Sequence, residues 1–123
     1  MSERVDKDEE REDRIYDEAV VDAYNEVEKA IGWYYYLEDK ITFPFKAKCE
    51  VKKRTSPLKV GETVKVLGMS PEAECETSMF VEVEWNNDVL SIPLEQIKPL
   101  RVDEETKEAV EDWQYWIARG YQF

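Results

Sequence analysis

Glu38 and Asp39 are adjacent carboxylates set between two apolar blocks. Residues 32–45 read GWYYYLEDKITFPF, with Trp33, Tyr34, Tyr35, Tyr36 and Leu37 ahead of the acids and Phe43 and Phe45 behind them. An aromatic side chain buries roughly 150–250 Å², so both blocks belong to a core. The acidic pair cannot follow them inside and has to sit at the core's edge, held from both sides. Carboxylates fixed in this way repel one another and suit a hard cation. Calcium takes about six to eight oxygen ligands from carboxylates, carbonyls and water. The chain contains no histidine, which removes imidazole-bound transition metals and every Cys-His or Ser-His catalytic pair.

Other acidic groups bear on the same chemistry. Glu18, Asp22 and Glu26 recur at four-residue spacing, which would stack them on one face of a helix. Like charges at that spacing cost roughly 0.2–0.5 kcal/mol per pair, a strain that a cation or a basic partner relieves. Glu72, Glu74 and Glu76 alternate in a polar loop, where nothing nearby holds them rigid. The EF-hand pattern is absent, because none of the four glycines follows the required acidic run. Asp6, Asp8 and Glu10 imitate its first half only. Any cation site must therefore be assembled from separated pieces. A glycosidase-like carboxylate pair would need a sugar cleft that so short a chain cannot build around a complete core. No phosphate loop or nucleophile elbow occurs, and no enzyme activity is expected.

Composition narrows the partners. Asp plus Glu number 29 against 17 Lys plus Arg, a net charge of -12. That field repels nucleic-acid phosphates and attracts cations and basic protein surfaces, so calcium ions and an unidentified basic protein are the expected partners. No apolar run nears the roughly 20 residues of a membrane span, and the first residues lack the apolar core of an export signal. The expected location is cytoplasmic, with no membrane association. Cys49 and Cys75 fit no zinc spacing and are expected to be reduced, with Cys49 at an inward strand position.

The elements that must position these groups follow from periodicity. Residues 1–11 form a charged leader without periodicity and are expected to be disordered, leaving residues 12–123 as one domain. From residue 12 to 31 a helix is expected, with Ile15, Ala19, Ala23, Val27 and Ala30 on its buried face, Val20, Tyr24 and Ile31 widening it, and Gly32 as its end or kink. Phe45, Ala47, Cys49 and Val51 then alternate with charged residues as a half-buried strand. Strands are also expected at 63–69, at 79–85 and at 90–94, with a tight turn at Asn86, Asn87 and Asp88. A 3₁₀ turn between Pro93 and Pro99 leads to a fifth strand. The last helix spans about 103–119, with Asp103 as N-cap, Gly120 past its end, and Val110, Trp113, Trp116 and Ile117 as its buried stripe.

Five short antiparallel strands with two flanking helices make an α+β fold, an SH3-like small β-barrel over about residues 43–102. In such a barrel the first and last strands pair antiparallel. The start of one then lies beside the end of the other, which brings Glu38 and Asp39 towards Asp103, Glu104 and Glu105.

The run GWYYYLEDKITFPF, together with MFVEVEW, VLSIPLEQIKPL and EDWQYWIARGYQF, resembles a small family of cyanobacterial calcium-binding proteins over about residues 12–123. The resemblance implies calcium binding outside any EF-hand on an SH3-like small barrel with helical additions. It also implies sequestration or control of free calcium, extending to signalling during cell differentiation, and not catalysis. The site residues expected are Glu38 and Asp39 first, then Asp103 and Glu104, with Glu18, Asp22 and Glu26 as a second group. The alternative is an SH3-like interaction module that presents Trp33 and the three tyrosines to a Pro-rich or basic ligand.

Overall fold

The computed structural model describes residues 6–54 and 56–121. Helix α1 (Glu9–Arg14) is capped by Asp8, whose carboxylate accepts from the Arg11 N–H, and runs on into one wide π turn over Ile15–Ala19. The chain then breaks. Residues 20–25 form a turn in which Asp22 takes a positive φ of 57°. Helix α2 (Glu26–Lys40) restarts at Asn25, whose side chain accepts from the Glu28 N–H at 2.9 Å.

This differs from the helix expected at 12–31 in three ways. Residues 9–11 of the expected leader are the first turn of α1, while residues 1–5 lie outside the described residues. Gly32 lies in the middle of α2 instead of at a helix end. And because the break resets the helical register, Tyr24, Val27 and Ile31 are exposed, while α2 buries Ala30, Trp33, Tyr34, Tyr36 and Leu37. The reason at Gly32 is steric. A Cβ there would lie 2.2 Å from the Ala19 carbonyl oxygen, so α2 and the π turn touch backbone to backbone, where only glycine fits.

The strands are β1 (Phe45–Cys49), β2 (Thr63–Met69), β3 (Phe80–Trp85), β4 (Asp88–Pro93) and β5 (Ile97–Leu100). They form one antiparallel sheet in the order β4-β3-β2-β1-β5. The first and last strands pair as expected, with Lys46 opposite Leu100 and Cys49 opposite Ile97. No ladder joins β4 to β5 among the described residues. The sheet is open, and the expected barrel closure is not formed. Its two edges both contain proline, Pro93 at the end of β4 and Pro99 within β5.

Asn86 and Asn87 take positive φ of 51° and 64° at the β3–β4 hairpin, as the sequence predicts. A 3₁₀ turn at Leu94–Gln96 leads into β5. Helix α3 (Glu104–Ala118) starts at Asp103 and is followed by Gly120 at φ 81°. Strand β1 shows the alternation of buried Phe45, Ala47 and Cys49 with exposed Lys46 and Lys48, but Val51 falls beyond it and is exposed.

Trp33 centres the helical part of the core. Its ring meets Trp113 at 5.1 Å, Trp116 at 5.6 Å and Tyr36 at 5.7 Å between centroids, in the edge-on and tilted arrangements that aromatic quadrupoles favour. Among the described residues no helix is long and apolar enough to cross a membrane.

Candidate metal centre

The three consecutive tyrosines are spread around α2 by its 100° step, and each side chain goes somewhere different. The buried Tyr34 donates to the Ser70 carbonyl at 2.8 Å. Tyr36, also buried, donates to Asp112 Oδ2 at 2.6 Å. Tyr35 is 51 % exposed and donates to Glu72 Oε2 at 2.9 Å. The run therefore offers one solvent-facing ring and not the aromatic surface that a Pro-rich or cationic ligand would need.

Glu38 and Asp39 fall in the last turn of α2, and both are exposed. The helix end places roughly half a negative charge beside them, so the dipole opposes both carboxylates. The turn's one basic side chain is Lys40, and it is engaged elsewhere. Its Nζ lies 3.1 Å from Glu108 Oε1 and 3.6 Å from Glu18 Oε1. The backbone adds to the imbalance. The Thr42 N–H, which would have closed on the Glu38 carbonyl had the helix continued, donates instead to Thr106 Oγ1 at 2.9 Å. Residue 44 is proline and has no N–H to offer the Lys40 carbonyl. Carboxylates and underused carbonyl oxygens thus share one helix end.

A third carboxylate, Glu72, is tied to α2 through Tyr35. Glu72 opens the 3₁₀ turn Glu72–Cys75, which is anchored by the buried Cys75. Glu72 and Glu38 both act on the same two phenols. Burial, with Glu38 and then Glu72 behind it, pushes the Tyr34 hydroxyl up to about 12. The bond to Glu72, with Glu38 behind it, also raises Tyr35. The sequence places Glu72 in a floppy loop. The turn that fixes it depends on Cys75 packing and on Tyr35, neither of which its alternating spacing reveals.

The other expected ligands are only partly gathered. The end of α2 does run beside the start of α3, as the strand pairing requires, but Lys40 and Thr42 make the crossing, and not Glu38 or Asp39. Asp103 is engaged as the N-cap of α3, accepting from the Thr106 N–H at 2.7 Å. Glu104 and Glu105 are exposed on the first turn of that helix. Glu18, Asp22 and Glu26 do not form a column, because they lie on the π turn, in the connecting turn and at the start of α2. Among the described residues no three acidic or thiol side chains already stand close enough to enclose an ion.

The cap at Asp103 makes a pH prediction. Its carboxyl is held below the usual aspartate range, first by the Thr106 backbone N–H and then by the Thr106 and Thr42 side chains. A carboxyl whose folded pKa is depressed adds stability above its unfolded pKa and loses it as pH falls through the folded one. Asp103→Ala is accordingly expected to lower the melting temperature at neutral pH, with the difference closing as pH drops below about 4. An unchanged gap between pH 7 and acid, followed by circular dichroism, would show that the side chain does not cap through its charge.

A family profile described as calcium binding, CcbP, matches residues 13–117. The chain belongs to the CcbP family. A solved structure described as the crystal structure of Anabaena CcbP is 47 % identical, covers 100 % of both chains and superposes with a TM-score of 0.86. Another, described as a calcium binding protein in the calcium-binding form, is 46 % identical, covers 95 % of this chain and 96 % of that one, and has a TM-score of 0.85. No functionally curated protein matched. Calcium is thus the ion by which the CcbP family is described, in agreement with the histidine-free, oxygen-rich composition, and the α+β fold is shared across the whole chain.

Proposed function

We propose that this CcbP-family protein binds calcium reversibly and thereby buffers or sequesters the free ion, with Glu38 and Asp39 as its leading ligands. The observation that carries this is the concentration of hard oxygen at the end of α2. Two carboxylates and underused backbone carbonyls lie at the negative pole of a helix whose one lysine is engaged elsewhere. A divalent cation there meets the helix dipole favourably and lowers the mutual repulsion of Glu38, Asp39 and Glu72.

Glu72 comes from a separate element and widens the donor set, and water completes the shell that calcium requires. Asp103 and Glu104, across the α2–α3 contact, act in this reading through water or through the field they add. Glu18, Asp22 and Glu26 lie in consecutive segments and would act, in this reading, only as a diffuse acidic field. Magnesium is disfavoured, because it demands near-ideal octahedral geometry and these donors are not fixed in advance.

Calorimetric titration of calcium against a magnesium background tests this. Glu38→Gln and Asp39→Asn are each expected to weaken calcium binding by about tenfold or more, a loss of roughly 1.4 kcal/mol. Unchanged affinity in both variants would move the site elsewhere. Absence of saturable calcium binding by the native chain would remove the function.

A further inference from the structure

The protein is strongly acidic, yet one face of its sheet is basic. Strand alternation puts Lys46 and Lys48 of β1 on the outer face, and the register extends them sideways. Lys46 stands directly opposite Lys65 of β2, and Lys48 directly opposite Lys98 of β5. All four lysines are exposed, and among the described residues none takes part in an ion pair. Like charges directly opposed across strands destabilise a sheet. The one acid in direct register with this group is Glu84 of β3, opposite Lys65.

Edge protection does not account for the pattern. Lysines on an edge strand discourage stray pairing, and Lys98 can serve that purpose. Lys46 and Lys48 cannot, since β1 lies between β2 and β5.

The same face carries apolar surface. Leu100, opposite Lys46, is half-buried and opens a groove of about 900 Å³. Pro44, Phe45 and Val102 line it together with Lys65, Arg101 and one acid, Asp103. Arg101 takes a φ of 53°, a left-handed conformation that a side chain disfavours.

We infer that this outer face of β2-β1-β5 docks an acidic peptide segment of another protein, whose carboxylates meet Lys46, Lys48, Lys65 and Lys98 while an apolar side chain enters the groove beside Leu100. The charge sign selects the class of partner, and the groove selects a peptide over a plain polyanion. A nucleic acid long enough to satisfy four lysines extends past the patch onto surfaces that give the chain its net charge of -12. A short peptide does not, because screening confines repulsion to about 8–10 Å at physiological salt. The inference uses neither Glu38 nor Asp39, the leading ligands of the calcium reading, and shares with it only Asp103 at the groove.

The probe is a fluorescein-labelled octapeptide alternating glutamate with leucine, titrated by anisotropy into the full chain in chelator-containing buffer. Saturable binding is expected that weakens with salt, falls at least about tenfold in Lys46→Glu/Lys65→Glu, and is lost when serine replaces leucine in the peptide. The same charge change at Lys7, on the segment that meets α3 through Asp8 and Tyr115, should leave it intact. No saturable binding would overturn the inference, as would equal affinity in the double variant. Equally tight binding of a single-stranded DNA oligomer of matched charge would overturn it too, by making the face an undiscriminating polyanion patch.

Discussion

Asp112→Ala is expected to cost about 3–5 kcal/mol, the range for removing one partner from a buried charge pair, out of a typical total of roughly 5–15 kcal/mol. The Asp112 carboxylate is fully buried on α3. It accepts from Arg11 Nη1 at 2.7 Å, Arg14 Nη2 at 2.6 Å, Arg14 Nε at 3.0 Å and the Tyr36 hydroxyl at 2.6 Å. Four donors fill the roughly four lone-pair sites of a carboxylate. Truncation leaves two guanidinium groups and a buried phenol facing a void. Because the donors come from α1 and α2, the loss should loosen all three helices together. Urea denaturation measures it, and Asp112→Asn, which keeps the shape and drops the charge, should recover part of the loss. A cost under about 1 kcal/mol for the alanine variant would mean water replaces the carboxylate without penalty.

Gly32→Ala should destabilise the protein, and here the sign is the informative part. Helix propensity alone favours alanine over glycine by about 1 kcal/mol in a helix interior. Against that stands the 2.2 Å separation between the would-be Cβ and the Ala19 carbonyl oxygen. The Ala19 oxygen is backbone and a Cβ is fixed by its own backbone, so no rotamer change relieves the contact. Overpacking typically costs about 1–3 kcal/mol and more where backbone must shift. With a backbone oxygen so close the clash is placed at the upper end of that range and wins, with a net loss of up to about 2 kcal/mol. A Gly32→Ala chain melting at or above the parent temperature would show that α2 and the π turn can separate freely.

These two positions also mark where the sequence is legible and where it is not. Period-two alternation from Phe45 to Cys49, the Asn86–Asn87 turn and the Asp103 cap are local signals, and each appears where its chemistry predicts. Gly32 is ambiguous by nature, since the same absence of a Cβ that ends helices also admits a neighbouring backbone. The restart of α2 had a readable sign, with Asn25 followed three residues later by Glu28 in a capping arrangement, but the surrounding apolar periodicity masks it. Asp112 has no sign at all. It is one acid among many, and its donors Arg11 and Arg14 lie about a hundred residues away in the chain.

The acidic pair is intermediate. Its position beside the tyrosine run was readable, and so was the meeting of the first and last strands. Which side chains would then cross between the helices was not, because a 100° rotation per residue decides whether Lys40 or Asp39 faces α3. Glu72 is legible only as one acid of a polar loop, since its rigidity is conferred by contacts distant in sequence.

The open sheet ends in a practical property. A strand arriving at β5 finds Pro99, which has no amide hydrogen to share, and one arriving at β4 runs out of partners at Pro93. Neither border supports a long run of new rungs. Concentrated solutions should therefore stay clear of fibrils, even though nothing seals the array into a ring.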